Sequence, residues 1–225
     1  MSPSQRIARI AGVLFLITFA TAIGALYLFQ PVLDDPAGYI AGDGADNRIF
    51  LGALLELLLI VANVGTAVVL YPILKRQNEM LAVGYVTARL VECALIAIGL
   101  VSVLAVVTLR QDAASADASS LGVALAGMKD WTFLLGPGFI VGVGNGLLLG
   151  YLMYRSGLVP RGMAVLGLVG GPLICLSWDR RPVRRLPVRR YGARHRDNPG
   201  VLVGVVAWHL PHCQGVQAVS DPLGL

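Results

Sequence analysis

Three ionisable residues, Glu56, Arg89 and Glu92, lie inside otherwise apolar stretches of the sequence. A charge at the centre of a membrane helix costs about 2.5–3.5 kcal/mol on insertion scales, so such residues mark candidate sites. Arg89 and Glu92 have the i, i+3 spacing that places them on one helix face, where they can pair. Glu56 and Asn63, at i and i+7, also share a face.

The depths of these side chains predict that they meet. At a rise of about 1.5 Å per residue, Glu56 lies about 9 Å below the outer edge of its apolar run, whereas Arg89 and Glu92 lie about 12 and 16 Å above the inner edge. Two interpretations stay open: a proton or ion relay, or binding site for a small polar molecule, and a neutralised structural cluster that fixes helix register. Two acids and one arginine leave one acid to be protonated or paired elsewhere.

Glycines spaced four residues apart run through a later apolar stretch: Gly138, Gly142, Gly146 and Gly150. Gly167 and Gly171 repeat the spacing, and glycines on one helix face allow another backbone to approach closely. The "GVGNG" segment lacks the spacing of a nucleotide-binding loop. Its Asn145 is expected to hydrogen-bond across helices and completes the candidate polar cluster. The Gly136-Pro137-Gly138 segment predicts a kink or a broken turn.

Residues that usually carry catalysis or bind metals are scarce in residues 1–176. All three histidines follow residue 190, and the three cysteines have no metal-binding or redox spacing. We therefore expect no catalytic, cofactor-binding or metal-binding residues, no cofactor and no enzymatic activity. Asp43 and Asp46 lie in an acidic loop that either is simply solvated or binds a cation.

These residues are carried by apolar runs long enough to cross a bilayer. The 225-residue chain is 56% hydrophobic and only 14% charged, whereas soluble domains are about 25% charged. A hydrocarbon core about 30 Å thick requires about 20 apolar residues. Four runs meet this length and a fifth is short: residues 10–29, 50–71, 81–109, 131–154 and 163–178. The predicted fold class for residues 1–176 is an all-α, polytopic transmembrane helix bundle with five spans.

Basic residues near the span ends set a predicted orientation. They gather at the N-terminus and in alternate short loops: Arg6, Arg9, Lys75, Arg76, Arg155 and Arg161. The positive-inside rule then predicts a multi-pass protein of the cell membrane with its N-terminus in the cytoplasm. Lys129 and Asp130 are assigned to the third loop, with Asp130 as the N-cap of the span that starts at Trp131.

The C-terminal segment, residues 177–225, does not fit this picture. It holds eight arginines within residues 179–197 and accounts for the whole net charge of +5. With five spans it would lie outside the cell, where neither cytoplasmic nucleic acid nor the cytoplasmic leaflet is available to it, so we expect no nucleic-acid partner. We interpret it as a disordered, frameshift-derived tail.

The genetic code supports this interpretation. In the next reading frame Trp208-His209 must encode glycine, and Gln214-Gly215 and Gln217-Ala218 must each encode lysine or arginine. Permitted codons at the other positions give an apolar segment followed by these basic residues. The restored frame would therefore supply a sixth span and return a basic end to the cytoplasm.

Several stretches resemble a known family. These are "RIARIAGVLFLITF", "LGALLELLLIVANVGTAVVLYPILKRQNE", "GYVTARLVE" and "DWTFLLGPGFIVGVGNGLLLGYLMYRSGLVPR". They are similar to the DUF4386 family, an uncharacterised family of multi-span prokaryotic membrane proteins, over about residues 5 to 174. The resemblance implies an integral membrane protein of the cell membrane and brings no activity with it.

Three function classes can be compared with these patterns, and the third, an intramembrane enzyme, has almost no support from them. The first is a structural or accessory membrane protein, favoured by the glycine ladder and the lack of catalytic constellations. The alternative is a small transporter or channel, favoured by the buried Glu56, Arg89 and Glu92. The lipid bilayer is the expected partner, with a homo-oligomer or another membrane protein as further possibilities. A water-filled cavity reaching Glu92 would favour transport, and a dry, packed bundle would favour the structural role.

Overall fold

The computed structural model describes residues 3–42, 45–112, 118–156, 159 and 161–177, and these residues form helices without any strand. The elements are α1 (Pro3–Asp34), α2 (Pro36–Ala41), α3 (Asp46–Leu74), α4 (Glu79–Gln111), α5 (Ala118–Phe133), two π-helical segments (Leu134–Ile140 and Gly142–Leu149), α6 (Gly150–Ser156) and α7 (Arg161–Ser177). The predicted all-α helix bundle is confirmed. The prediction of a disordered, frameshift-derived tail concerns residues that, after Ser177, lie outside those described.

Within the described residues, four helical runs are long and apolar enough to cross a membrane. They are Arg6–Asp34, Asp46–Leu74, Glu79–Gln111 and Ala118–Ser156. The last of these, called the fourth span here, joins α5, both π-helical segments and α6 into one continuous helix. A shorter apolar helix, Ala164–Leu176, occupies the place of the predicted fifth span.

The fourth span begins earlier than the sequence predicts. We expected it to start at Trp131, but α5 begins at Ala118 and carries Lys129 and Asp130 inside the helix. Asp130 is therefore not an N-cap residue, and Lys129 is not a loop residue. The stretch before Lys129 is rich in serine, alanine and glycine, which lowers its hydropathy and makes a helix resemble a loop in the sequence.

Local capping signals fix the starts of α2 and α4. The Oδ1 atom of Asp35 accepts a hydrogen bond from the Gly38 amide at 2.9 Å, and Pro36 occupies the first turn of α2. The Oδ1 atom of Asn78 accepts one from the Leu81 amide at 3.0 Å. Asp and Asn are preferred caps because they satisfy amides that have no partner in the first helical turn.

The long helices pack in chain order around two apolar clusters. α1 lies against α3, α3 against α4, and α4 against the fourth span, whose other neighbour is α7. One cluster joins α2 to the adjoining ends of α1, α3, α4 and α5, and includes Phe29 and Val106. The other lies at the opposite end of the bundle and includes Leu74, Tyr85 and Leu152. The candidate polar cluster named in the sequence analysis lies between these two apolar clusters.

The middle of the fourth span is π-helical. A kink or a broken turn was predicted at Gly136-Pro137-Gly138. The helix is not broken there, because it continues through Pro137 as the segment Leu134–Ile140. Proline lacks the amide hydrogen that an α-helix needs, and π-helical turns are a common way for a helix to accommodate a local irregularity. The second segment, Gly142–Leu149, carries Asn145 and two of the four ladder glycines, Gly142 and Gly146.

Glycines bring α7 and the fourth span into close backbone contact. A Cβ atom at Gly146 would lie 2.5 Å from the Cα of Gly171, and one at Gly142 would lie 2.9 Å from the Gly171 carbonyl oxygen. A Cβ at Gly150 would lie 3.4 Å from the Ala164 carbonyl oxygen. Gly138 differs, because the nearest atoms to its Cβ position, at 3.7 and 3.9 Å, belong to its own helix.

Candidate functional site

The best-defined polar group, called the central cluster here, consists of Asn63 and Thr66 on α3 and Arg89 and Glu92 on α4. Arg89 Nη1 donates to Glu92 Oε2 at 2.8 Å across one turn of α4. Asn63 Nδ2 donates to Glu92 Oε1 at 3.0 Å from the neighbouring helix. Each carboxylate oxygen therefore receives one donor, and the cluster ties α3 to α4.

Thr66 completes the cluster and was not predicted from the sequence. Arg89 Nη2 donates to Thr66 Oγ1 at 3.2 Å, and the Thr66 hydroxyl in turn donates to the Asn63 carbonyl at 2.7 Å. The ring of Phe15 on α1 lies 5.6 Å from the Arg89 guanidinium carbon, a distance suited to a cation–π contact. The sequence did not single out Thr66, because threonine hydroxyls in helices commonly donate to a backbone carbonyl of their own helix.

Glu56 does not join the central cluster, contrary to the expected meeting of Glu56, Arg89 and Glu92. Its Oε1 atom forms an ion pair with Lys129 on α5. Glu56 and Asn63 are seven positions apart, which corresponds to about 10 Å along α3 and separates the two groups. Glu56 is therefore the acid for which the sequence offered no cation within the apolar runs. Its partner is Lys129, which was predicted to lie in a loop.

Lys129 reaches Glu56 across α4 at Gly99. A Cβ atom at Gly99 would lie 2.9 Å from Lys129 Cδ and 3.3 Å from Lys129 Nζ, and it would also overlap the Thr132 hydroxyl. The Phe29 ring of α1 lies 5.2 Å from the ammonium group. Glycine is therefore favoured at this position, because a side chain here would force Lys129 and Thr132 to shift.

An apolar layer separates the central cluster from the Glu56–Lys129 pair. Leu59 on α3 and Ile96 on α4 are both buried at this level. Cys93, beside Glu92, is also buried and its thiol lies 3.9 Å from the Ile60 carbonyl oxygen. The two ion pairs thus occupy different levels of the bundle and do not form one continuous polar site.

All four of these charged side chains are removed from solvent. The exposed fractions are 6% for Glu56, 3% for Arg89, 5% for Glu92 and 4% for Lys129. Each has a partner of opposite charge, so the buried charges of the described residues sum to zero. Among those residues, no three His, Cys, Asp or Glu side chains lie close enough together to hold a metal ion.

Asn145 lies in the interior but is not part of the central cluster as defined above. It is 6% exposed, and its Oδ1 atom has no hydrogen-bond partner among the described residues. Leu149, one turn further along the same π-helical segment, packs with Tyr85 of α4. Asn145 therefore faces the bundle near the level of Arg89, with an acceptor atom unused.

Comparison with known families identifies the chain. The sequence profile described as a domain of unknown function, DUF4386, matches residues 10–178. The chain belongs to the DUF4386 family. This DUF4386 protein is membrane-embedded, and the part of the chain that the structure describes has four long apolar helices and a fifth, shorter one. Comparisons with curated proteins and with solved structures give no significant match.

A second polar group holds together the segments at the α2 end of this DUF4386 protein. Asp46 at the start of α3 accepts hydrogen bonds from the Tyr39 hydroxyl at 2.6 Å and from Gln111 Nε2 at 3.1 Å, and it pairs with Arg110. Arg110 Nε also donates to the Gly42 carbonyl at 3.0 Å. Burial, followed by the hydrogen bond to Asp46, raises the pKa of Tyr39 to about 12. Both Asp46 oxygens are engaged within the protein; Asp43 lies outside the described residues.

Proposed function

We propose that this protein is a structural or accessory component of the cell membrane and is not an enzyme. The observation that carries the proposal is the complete pairing of the buried charges: Glu56 with Lys129, and Arg89 with Glu92. A relay or a transport site needs a group that changes partner or charge state during its cycle. A set of mutually neutralised side chains instead fixes which helices are neighbours.

The Glu56–Lys129 pair and the hydrogen bonds of the central cluster each lie where they specify helix packing. Glu56 and Lys129 join α3 to α5, and Asn63 and Glu92 join α3 to α4. Lipid tails are as apolar as leucine, so helix association in a bilayer relies on close packing and polar contacts rather than on the hydrophobic effect. The glycine contact between α7 and the fourth span supplies the close packing.

The decisive experiment replaces the ion pair of the central cluster by apolar residues. In R89L/E92L both charges are absent, and such replacement of a buried pair is often neutral or stabilising, whereas R89L alone leaves Glu92 unpaired. We expect R89L/E92L to reach the membrane and to complement a deletion strain, while R89L does not accumulate. A double variant that is folded, by thermal unfolding in detergent, yet fails to complement would contradict the structural role.

Transport remains a second candidate because of one observation: in a π-helical segment, the buried Oδ1 atom of Asn145 has no hydrogen-bond partner among the described residues. Irregular helical segments inside membranes line cavities in many transporters. Proteoliposomes loaded with a pH-sensitive dye test this candidate. Proton or solute flux that depends on Glu92, and that folded E92Q lacks, would favour transport over the structural role.

We further propose an orientation with the N-terminus in the cytoplasm. Support comes from the exposed basic residues at one end of the bundle, Arg6, Arg9, Lys75, Arg76, Arg155 and Arg161. In a background without cysteines, Gln77→Cys and Asp112→Cys lie at opposite ends of α4. Intact cells should label only Asp112→Cys with an impermeant maleimide, and the reverse pattern would contradict the orientation.

An accessory role implies a partner, which we propose to be a second copy of this chain or another membrane protein. Cross-linking in native membranes, followed by mass spectrometry, distinguishes the two. A protein recovered only as an uncross-linked monomer from membranes in which it complements the deletion would argue against an accessory role.

A further inference from the structure

We propose that Asn63 and Arg89 form a binding site for a small carboxylate, in which the side chain of Glu92 is the resident ligand. The Glu92 carboxylate is held as a bound anion would be, with one oxygen 2.8 Å from Arg89 Nη1 and the other 3.0 Å from Asn63 Nδ2. A guanidinium and an amide that each address one oxygen match the planar, two-oxygen shape of a carboxylate.

Arg89, one of the two donors, is held in place by contacts that do not involve Glu92. Its Nη2 atom donates to the Thr66 hydroxyl, which in turn donates to the backbone carbonyl of Asn63. Phe15 covers the guanidinium from α1. Removal of the Glu92 carboxylate therefore leaves a positively charged site in which the guanidinium is already positioned.

The expected ligand is a carboxylate of one or two carbons. Truncation of Glu92 to alanine removes a CH2 group and the carboxylate, which together have the size of acetate. Chloride is a single spherical acceptor, so it cannot place a separate acceptor atom opposite each of the two donors as a carboxylate does. Because Asn63 lies on α3 and Arg89 on α4, a bound carboxylate would rejoin the two helices and would stabilise the folded state by mass action.

The Glu56–Lys129 pair lacks this construction and serves as a matched comparison. Lys129 donates to one oxygen only, and the Oε2 atom of Glu56 has no partner among the described residues. Truncation of Glu56 would thus leave a lone lysine without a second converging donor. We expect the difference between the effects of formate or acetate and of chloride on Tm to be far smaller for E56A than for E92A.

The test is the thermal unfolding of purified E92A in detergent with sodium formate or acetate up to about 100 mM, against sodium chloride at equal ionic strength. We expect a saturable rise in Tm of about 5 °C in formate or acetate beyond that in chloride. Wild type should not respond, nor should E79A, which removes an exposed acid from the same helix. N63L/E92A should lose the response because one of the two donors is gone.

Equal effects of formate and chloride on E92A, or an undiminished formate effect on N63L/E92A, would overturn the proposal. E92A can also prove too unstable to purify, and R89A/E92A, which has no lone buried cation, then serves as the reference. E92A that becomes monodisperse only in formate supports the site. E92A that aggregates in every anion, while R89A/E92A is recovered, contradicts it. The result does not depend on the structural role proposed above, since it is read from stability and not from complementation.

Discussion

Lys129 on α5 forms an ion pair with Glu56 on α3 by passing over α4 at Gly99. Three helices thus take part in one contact, although only two of them supply charge. The pair lies under the Phe29 ring of α1, so the adjoining part of α1 covers it as well. Among α1, α3, α4 and α5, the two helices farthest apart in the sequence are α1 and α5, and this contact brings them together.

Removal of either member of this pair should destabilise the protein strongly. K129M leaves the buried Glu56 carboxylate without its ion-pair partner, and E56L does the same to the buried Lys129 ammonium group. Each substitution should lower the free energy of unfolding by about 3–5 kcal/mol. The double variant E56L/K129M should cost less than the sum, because neither charge remains. Thermal and denaturant unfolding of all four proteins in detergent gives the coupling energy, and strictly additive effects would show that the pair does not form.

A side chain at position 99 should lower the stability of the folded protein. A methyl group in G99A would press on Lys129 Cδ and on the Thr132 hydroxyl, and overpacking of this kind costs about 1–3 kcal/mol. G127A is the control on α5, because no atom lies within 4 Å of its Cβ position. There, loss of glycine in a helix should stabilise by up to about 1 kcal/mol. Comparable unfolding temperatures for the two variants would contradict the described path of Lys129.

Substitution at Gly146 should separate α7 from the fourth span. The Cβ of G146A would meet the Gly171 backbone, which cannot turn away as a flexible side chain can. Cys175 on α7 reports the change, since its thiol lies 3.7 Å from the Phe139 carbonyl in the closed contact. In a C213S background, maleimide should label Cys175 several-fold faster in G146A than in G138A, whose Cβ would meet ordinary contacts only. Equal labelling would place the α7 interface elsewhere.

Stability should fall in alkaline solution because of Tyr39. Its pKa is raised from 10.0 to about 12 by burial and by the hydrogen bond to Asp46. The folded state thus keeps the phenol protonated to a higher pH than the unfolded chain does. Its contribution is fully present below about pH 10 and is lost as pH rises towards 12.

Y39F should lack this component of the pH dependence, and D46N should shift tyrosinate formation at residue 39 to lower pH. Absorbance near 295 nm, taken as the difference between each protein and Y39F, isolates the single phenol among the seven tyrosines. A Tyr39 that titrates near its ordinary pKa would contradict its bond to Asp46.

The DNA across codons 170–225 tests the interpretation of the C-terminal segment. A single-nucleotide shift should open a frame in which Trp208-His209 reads as glycine and an apolar run precedes lysine or arginine codons. The restored protein should then gain a sixth span and place its C-terminus in the cytoplasm, as a C-terminal reporter would show. Early stop codons in that frame would end the idea.

The sequence by itself determined the features that depend on a single helix. Apolar runs of bilayer length identify the spans, because the hydrocarbon thickness sets the number of residues required. The i, i+3 spacing of Arg89 and Glu92 places them side by side whatever surrounds the helix. The glycine spacing likewise predicts a close contact, which α7 supplies at Gly142, Gly146 and Gly150.

Only the tertiary structure decided how charges pair between helices. Glu56 and Glu92 are both acids at a helix interior, yet one meets Lys129 and the other meets Arg89 and Asn63. The choice depends on which helices are neighbours, how far each is rotated, and whether a residue such as Gly99 leaves room. Spacing along one chain segment carries none of that information, because a cross-helix contact is fixed jointly by the packing of both helices.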